Sequence, residues 1–193
     1  NINYIKTLKG GNFMDKKLMW KAVIFLVISL LLYGIFSTNV GDIFSSIVYF
    51  VSVLSVGIGG ALAVSIISPI LASLFGILGA ELSQVLFPLI IANILLVVGF
   101  WVFSKKIFES KKILGSFLGI LVGSILRAIP ITIGANNLTE ISAELRNALG
   151  FPQFASALVG GLILWIIYII LSKTNNIPGW LSMSDEQQIT ESN

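Results

Sequence analysis

Long apolar runs, almost free of charge, make up most of this chain and restrict what it can fold into. A helix needs about 20 mostly apolar residues to cross a bilayer, and four segments qualify: about 18–37, 85–104, 112–131 and 153–172. Of the 193 residues, 56% are hydrophobic and only 11% are charged, against about 25% in soluble domains. A soluble fold would leave much of this apolar surface in water, so the sequence predicts an integral membrane protein.

Residues 43–78 form a further apolar run that is too long for one helix and short for two. The sequence "GIGG" at 57–60 is a natural break, because glycine allows a close turn. Lysines mark two regions as cytoplasmic: Lys16, Lys17 and Lys21 around the start of the first span, and Lys105, Lys106, Lys111 and Lys112 around the start of the fifth. An even number of crossings must separate these loops, so 43–58 and 60–78 are predicted to be two helices. The expected fold is an all-α bundle of six transmembrane helices with both termini in the cytoplasm.

The predicted membrane domain covers 14–173. The two ends of the chain and the last outer loop of this domain carry further signals. Lys-Gly-Gly shortly before Met14 can be encoded by a purine-rich run like a bacterial ribosome-binding site. We therefore expect 1–13 to be a leader or a disordered tail, with the protein beginning at Met14. The polar tail 174–193 is expected to be disordered and cytoplasmic. Apolar residues recur near helical spacing over 138–150, which predicts a short amphipathic helix in the last outer loop.

Missing residue types narrow the function. The chain has no Cys and no His, which removes thiol nucleophiles, imidazole bases and the usual zinc ligands. Its acidic residues are expected in loops and tails, so no paired acid and base is expected at membrane depth. An enzyme is therefore the least favoured class, and no metal or cofactor site is expected. Basic residues sit in short clusters beside apolar runs, which indicates membrane orientation and not nucleic-acid binding.

Small residues form stripes along the last two predicted spans. Gly115, Gly119 and Gly123 recur every four residues in the fifth span, and Ala157 and Gly161 have the same spacing in the sixth. Such stripes allow close helix packing in lipid. Two interpretations are open: the stripes hold this chain's own bundle together, or they form a docking face for a partner subunit.

Three local features resemble the substrate-binding S components of energy-coupling factor (ECF) vitamin transporters. The glycine-broken helix pair leads into a proline in "GIGGALAVSIISP", the fourth helix begins "FPLIIAN", and the last helix opens "PQFASALVGG". The likeness covers roughly 18–173. It implies a protein of the bacterial cytoplasmic membrane that captures a micronutrient, usually a vitamin, from outside. It also implies partners: a transmembrane coupling subunit and two cytoplasmic ATPases that drive delivery inward.

The resemblance also bears on partner docking. Many S components carry Ala-x-x-x-Ala in the first helix, where the coupling subunit docks, but here Leu26 stands four residues after Ala22. Docking through other small residues of this helix, Ser29 and Gly34, is the alternative. The chain has no Gly-x-x-x-x-Gly-Lys-Ser/Thr loop, so ATP hydrolysis is assigned to the partners.

Arg127 is the most informative polar residue, because it is a charge near the outer end of an apolar span. Two roles are open for it. In the first, Arg127 faces an outward-open pocket and binds an anionic or amide-bearing ligand. In the second, it snorkels to the interface or pairs with Glu81 or Asp42 as a structural lock. The first interpretation favours a ligand with a carboxylate or phosphate.

Asn93 is the next candidate for a binding residue, with an interhelical hydrogen bond as its alternative role. Further candidates for the outer pocket are Asn39 and Asp42 in the first outer loop, Gln84 in the second, Gln153 at the start of the sixth helix, and Asn136 and Asn137 as part of a lid.

Two other functions remain open at this point. A non-transporting scaffold or assembly protein would use its intramembrane polar residues for structure alone. A self-sufficient transporter or channel is the second alternative, although no convincing repeat relates the two halves of the chain.

Overall fold

The computed structural model of the protein describes residues 16–35, 38–108, 111–137 and 141–173, and the elements in these ranges are helical. In chain order they are α1 (Lys16–Ile35), α2 (Thr38–Leu74), α3 (Gly79–Gln84), α4 (Leu86–Trp101, continued by a π-helical segment over Val102–Ile107), α5 (Lys112–Asn137), α6 (Ala143–Ala148) and α7 (Phe151–Lys173). The predicted all-helical class is confirmed. The predicted leader, 1–13, and the predicted tail, 174–193, lie outside the described residues.

The surface of the helices is apolar on the scale that a membrane requires. Within the described residues, five helical segments are long and apolar enough to cross a bilayer. In the most apolar stretch of α1, only 11% of the residues are buried in the bundle. Trp20, Ile24, Leu31 and Ile35 are each more than half exposed along this helix. Such a surface is suited to lipid and not to water, and the fold is that of a multi-pass membrane protein.

The long helix α2 is broken at Gly57. The backbone of Gly57 (φ 72°, ψ −177°) is non-helical and lies in a region that is essentially restricted to glycine. The hydroxyl of Tyr49 lies 2.9 Å from that of Ser68, 19 residues away, whereas an unbroken helix would separate them by about 28 Å. The two halves of α2, 38–56 and 58–74, therefore run antiparallel as a helical hairpin. The break predicted at 57–60 is found.

Helices α3 and α6 lie at the same end of the bundle, which we call the cap end. Leu78 and Val85, which flank α3, share a buried apolar cluster with Ile141 and Leu149, which flank α6. The helix α4 and its π-helical segment lead from this end to Lys105 and Lys106, and α5 starts at Lys112 and leads back. We call that opposite end the lysine end. A second apolar cluster, built around Phe50, Leu96 and Ile120, fills the middle of the bundle.

The predicted amphipathic helix is present but shorter. Helix α6 covers Ala143–Ala148, and the Ser142 hydroxyl caps it by accepting a hydrogen bond from the Leu145 amide at 3.2 Å. Ile141 and Leu149 are buried at either side of it. The cap fixes where the helix starts, and burial of the two flanking side chains holds it against the bundle. Leu138 and Glu140 lie outside the described residues.

Two other predicted boundaries are corrected. Helix α2 already begins at Thr38, so Asn39 and Asp42 belong to a helix and not to the first outer loop. Helix α5 continues to Asn137, past Pro130 and past the predicted end at 131. The additional turns are stabilised because Ile131 and Ala135 are buried in the cap-end cluster.

The glycine stripe of α5 is covered by α4. A Cβ atom on Gly119 would lie 2.9 Å from the carbonyl oxygen of Phe100, and one on Gly123 would lie 2.8 Å from that of Leu96. Gly115 is buried in the same way against Phe108, where a Cβ atom would lie 2.7 Å from the Phe108 Cβ. The docking face predicted at these glycines is thus corrected to an internal helix contact, which was the other interpretation of the stripe.

The predicted docking residues of α1 are divided between the inside and the outside of the bundle. Ala22 and Ser29 are buried, and α1 packs mainly against α2. Gly34 is exposed near the cap end of α1. Of the six residues predicted to dock a partner, Gly34 alone has an exposed position in the described structure.

Candidate functional site

Arg127 lies inside the bundle and bonds to α2. Its guanidinium group is fully buried, donates a hydrogen bond of 2.6 Å from Nη1 to the Ser46 hydroxyl, and lies 3.2 Å from Asp42 Oδ1 through Nη2. A buried cation needs a counter-ion and hydrogen-bond acceptors, because it has lost its water. Both come from one face of α2, since Asp42 and Ser46 are four residues apart. Pairing with Asp42 was one of the sequence-based alternatives, whereas snorkelling to the interface is excluded by the burial.

Asp42 links this pair to a third helix. Its second carboxylate oxygen, Oδ2, accepts a hydrogen bond from the side-chain amide of Gln153 at the start of α7. Asp42 and Gln153 are each 4% exposed. The Ser46 hydroxyl donates in turn to the backbone carbonyl of Asp42 at 2.7 Å. We call Asp42, Ser46, Arg127 and Gln153 the polar clasp, because they join α2, α5 and α7 close to the cap end.

A small and largely enclosed cavity borders the polar clasp. Its volume is about 100 Å³. Polar side chains face it from α1, α2 and α7, namely Tyr33, Asp42 and Gln153. The remaining wall is apolar and comes from Gly41, Ile77, Leu78, Leu82, Val85, Leu89, Ile131 and Leu149. An apolar pocket with a few placed polar groups is the usual form of a small-molecule site.

The segments around α3 and α6 close this cavity at the cap end. Leu78 and Leu82 cover it from the connection between α2 and α4, and Leu149 covers it from the residue after α6. Each lies on a short element outside the long helices. The cavity is much smaller than the range of about 300–1,000 Å³ typical of ligand pockets, so a ligand of that size would have to displace part of its wall.

Two buried polar atoms of the polar clasp have no hydrogen-bond partner among the described residues: Gln153 Oε1 and Arg127 Nε. Buried polar atoms are normally paired, and an exception calls for an explanation. Gln153 Oε1 belongs to a side chain that lines the cavity. It is therefore an unpaired acceptor carried by a residue of the cavity wall.

A second polar network lies deeper and contains Asn93. The Asn93 side-chain amide donates to the Tyr49 hydroxyl at 3.3 Å, and that hydroxyl also lies 2.9 Å from the Ser68 hydroxyl. Tyr33 connects this network to the cavity, because its hydroxyl lies 3.2 Å from that of Tyr49. Asn93 thus makes the interhelical hydrogen bond that was its alternative role, and it does not line the cavity.

Three further predicted site residues are exposed and do not line the cavity. Gln84 is exposed at the end of α3, and Asn136 and Asn137 are exposed at the end of α5. The side chains of Asn39 and Glu81 lie outside the described part of the chain. Of the eight predicted binding residues, the structure brings Arg127, Asp42 and Gln153 together.

Sequence reasoning missed Tyr33, Ser46 and Tyr49. A usable signal for Ser46 was its spacing of four residues from Asp42, which places both on one helix face. Each of the two tyrosines is the only tyrosine of its apolar run, which is a weaker signal because tyrosine is also common at membrane interfaces.

A larger groove of about 770 Å³ lies at the lysine end between α5 and α7, with Lys111, Lys112, Phe117, Trp165 and Tyr168 on its walls. It opens to the outside of the bundle, and none of the unpaired buried atoms of the described residues belongs to it. The enclosed cavity is therefore the better candidate for a binding site. Within the described residues, no group of three His, Cys, Asp or Glu side chains is placed to hold a metal.

Comparisons with protein-family models, with curated proteins and with solved structures found no match for this chain.

Proposed function

We propose that the chain crosses the membrane six times, with the cap end outside and the lysine end in the cytoplasm. The hairpin at Gly57 supports two crossings within α2, because its halves of 19 and 17 residues (38–56 and 58–74) approach the length that a bilayer requires. The charge distribution supports the orientation. Lysines 16, 17, 21, 105, 106, 111 and 112 all belong to the end opposite α3 and α6, as expected for cytoplasmic loops.

The proposed function is capture of a micronutrient, a vitamin or a related small molecule, at the outer side of a bacterial cytoplasmic membrane. The single observation that carries it is the enclosed cavity at the cap end, which has apolar walls, three polar side chains and an unpaired acceptor. The segments around α3 and α6 would open for entry and close over the bound molecule.

The proposed partners are a transmembrane coupling subunit and two cytoplasmic ATPases of an ECF module. The resemblance of the last helix, "PQFASALVGG", to S components supports this, and Gln153 in that motif lines the cavity. In this proposal the chain is not itself an enzyme and binds no cofactor. Gly34, together with the exposed apolar face of α1, is the proposed contact for the coupling subunit, since the other five predicted docking residues are buried.

Affinity purification tests this function. The tagged protein, expressed from Met14 in a Gram-positive host, is purified in mild detergent, and everything that copurifies is identified by mass spectrometry. A coupling subunit with two ATPases is the expected result, with or without a bound vitamin. Recovery of the chain alone and ligand-free at full yield would contradict the proposal.

One observation favours a second candidate, the non-transporting scaffold. Arg127 is neutralised by Asp42 and faces no open pocket, which is what a structural lock requires. The same purification separates the two candidates, because a scaffold would bring down an assembly without ATPases.

A further inference from the structure

The polar groups on the cavity wall indicate which kind of ligand the cavity would bind. An inference about the ligand rests on the binding function proposed above. Tyr33 contributes a hydroxyl, Asp42 a carboxylate and Gln153 a side-chain amide. The carboxylate can only accept hydrogen bonds, whereas the hydroxyl and the amide can donate or accept. The orientation of the Gln153 amide therefore decides whether hydrogen-bond donors or acceptors predominate on this wall.

Gln153 is oriented by Asp42. Since the carboxylate only accepts, the Gln153 atom that bonds to it must be the donor Nε2, as the geometry has it. The amide oxygen Oε1 is then left over, buried and without a partner among the described residues. The atom of Gln153 that is left without a partner is thus an acceptor, as are both oxygens of the Asp42 carboxylate.

Arg127 lies behind this wall and does not line the cavity. Its Nη1 donates to Ser46 and its Nη2 to Asp42. The guanidinium group thereby stabilises the Asp42 carboxylate in its buried position and fixes its direction. Arg127 is a positioning residue in this arrangement, and the earlier expectation of an arginine-lined pocket for a carboxylate or phosphate does not apply to this cavity.

We infer that the cavity binds the hydrogen-bond-donating end of its ligand, an amine, amidine or ring N–H carried on an apolar body. Such a group would donate to Gln153 Oε1 and to Asp42, and the apolar body would contact Leu78, Leu89 and Ile131. An anionic group would instead meet a carboxylate and an amide oxygen, with the Tyr33 hydroxyl as the one side-chain hydroxyl donor among the lining residues. Most of its own buried acceptors would stay unpaired, which is costly.

A matched pair of probes tests this inference. Acetamidinium and acetate have the same planar shape and size, but the first carries only donors and the second only acceptors. The full chain is purified in a nonionic detergent, and saturation-transfer NMR of the probe methyl group is titrated at constant ionic strength, with empty micelles as the blank. Acetamidinium is expected to bind about tenfold more tightly than acetate or better, as one charge-assisted hydrogen bond implies.

The decisive variant is Gln153→Leu, which removes the unpaired acceptor. It is expected to raise the Kd for acetamidinium about tenfold. Gln84→Leu makes the same chemical change on the exposed surface of α3 and is expected to leave this Kd unchanged. Asp42→Asn is less suitable, because it deprives the buried Arg127 of its counter-ion and can prevent folding.

The inference is overturned if acetate binds as tightly as acetamidinium, if neither probe binds above the blank, or if Gln84→Leu has the same effect as Gln153→Leu. These outcomes are independent of the transport proposal, since the probes need no partner subunit. A chain that prefers acetamidinium but copurifies with no ATPases refutes transport alone. A chain that copurifies with the ECF module and prefers acetate refutes the ligand class alone.

Discussion

At the scale of single residues, the Arg127 guanidinium group holds the cap end of the bundle together. It is fully buried and bonds to Asp42 and Ser46 of α2, while Asp42 bonds to Gln153 of α7. A buried ion pair adds little net stability, but removal of one member leaves the other charge uncompensated. Since Asp42 and Gln153 also line the cavity, the same side chains would serve both stability and the proposed binding.

Because the charges of Arg127 and Asp42 compensate each other, the effects of substituting the two residues are expected not to add. Arg127→Met leaves Asp42 as an unpaired buried anion, and Asp42→Asn leaves Arg127 as an unpaired buried cation. Each is expected to lower the free energy of unfolding by about 3–5 kcal/mol. The double variant Asp42→Asn/Arg127→Met contains neither charge, so it is expected to be more stable than Arg127→Met alone. Denaturant unfolding in detergent, followed by tryptophan fluorescence, measures all three, and strictly additive losses would contradict the coupling.

The sequence predicted part of the candidate site at this scale. Arg127, Asp42 and Gln153 were identifiable because charged and amide side chains are rare in apolar helices. Ser46 and Tyr33 were not, because hydroxyl groups are common in membrane helices and their burial depends on how the hairpin and α1 pack. Gln84 and Asn136 were wrongly grouped with the pocket, since polarity near a helix end does not show which way a side chain points.

At the scale of helices, glycine determines how closely α4 and α5 approach. Backbone carbonyl oxygens of Leu96 and Phe100 occupy the space that side chains at Gly123 and Gly119 would need. In lipid, where apolar surface alone does not drive association, such close contact is a main source of helix pairing. The α4–α5 pair is therefore sensitive to even one methyl group.

Two glycine-to-alanine variants test this contact. Gly119→Ala forces the α4 backbone away, because the new Cβ would lie 2.9 Å from a carbonyl oxygen, and overpacking of this kind costs about 1–3 kcal/mol. Gly59→Ala is the matched control, since nothing lies within 4 Å of its Cβ, and it is expected to be neutral or slightly stabilising. Thermal unfolding in detergent compares them. Equal melting temperatures would contradict the close packing assigned to Gly119.

Element boundaries were predictable where glycine or charge marks them. The break in α2 followed from "GIGG" at 57–60, and the start of α5 followed from the lysines before it. The end of α5 was not predictable from local signals, because Pro130 normally suggests a boundary. Burial of Ile131 and Ala135 against distant segments outweighs that preference.

At the scale of the whole molecule, the two ends of the bundle differ in charge and in structure. One end carries the lysine clusters, and the other carries α3, α6 and the enclosed cavity. Because positively charged loops stay in the cytoplasm, this asymmetry underlies the proposed orientation.

The absence of cysteine from the sequence allows a direct test of this orientation. Single variants Gln84→Cys and Asn136→Cys place a thiol at exposed positions of the cap end, and Gly59→Cys places one at the hairpin turn. A membrane-impermeant maleimide added to intact cells is expected to label the first two, and to label Gly59→Cys only after permeabilisation. Labelling of Gly59→Cys in intact cells would mean that the halves of α2 do not both cross the membrane as proposed.

The one-residue turn at Gly57 also has a consequence for biogenesis. Between its arms the hairpin offers only glycine and isoleucine over 57–60, so no hydrophilic loop exists that the insertion machinery could retain on one face. In the proposed six-span topology, the two arms would enter the lipid as one unit, and the lysines that flank the unit at a distance would set its direction. Relocating those lysines would then invert both arms together and never one of them alone.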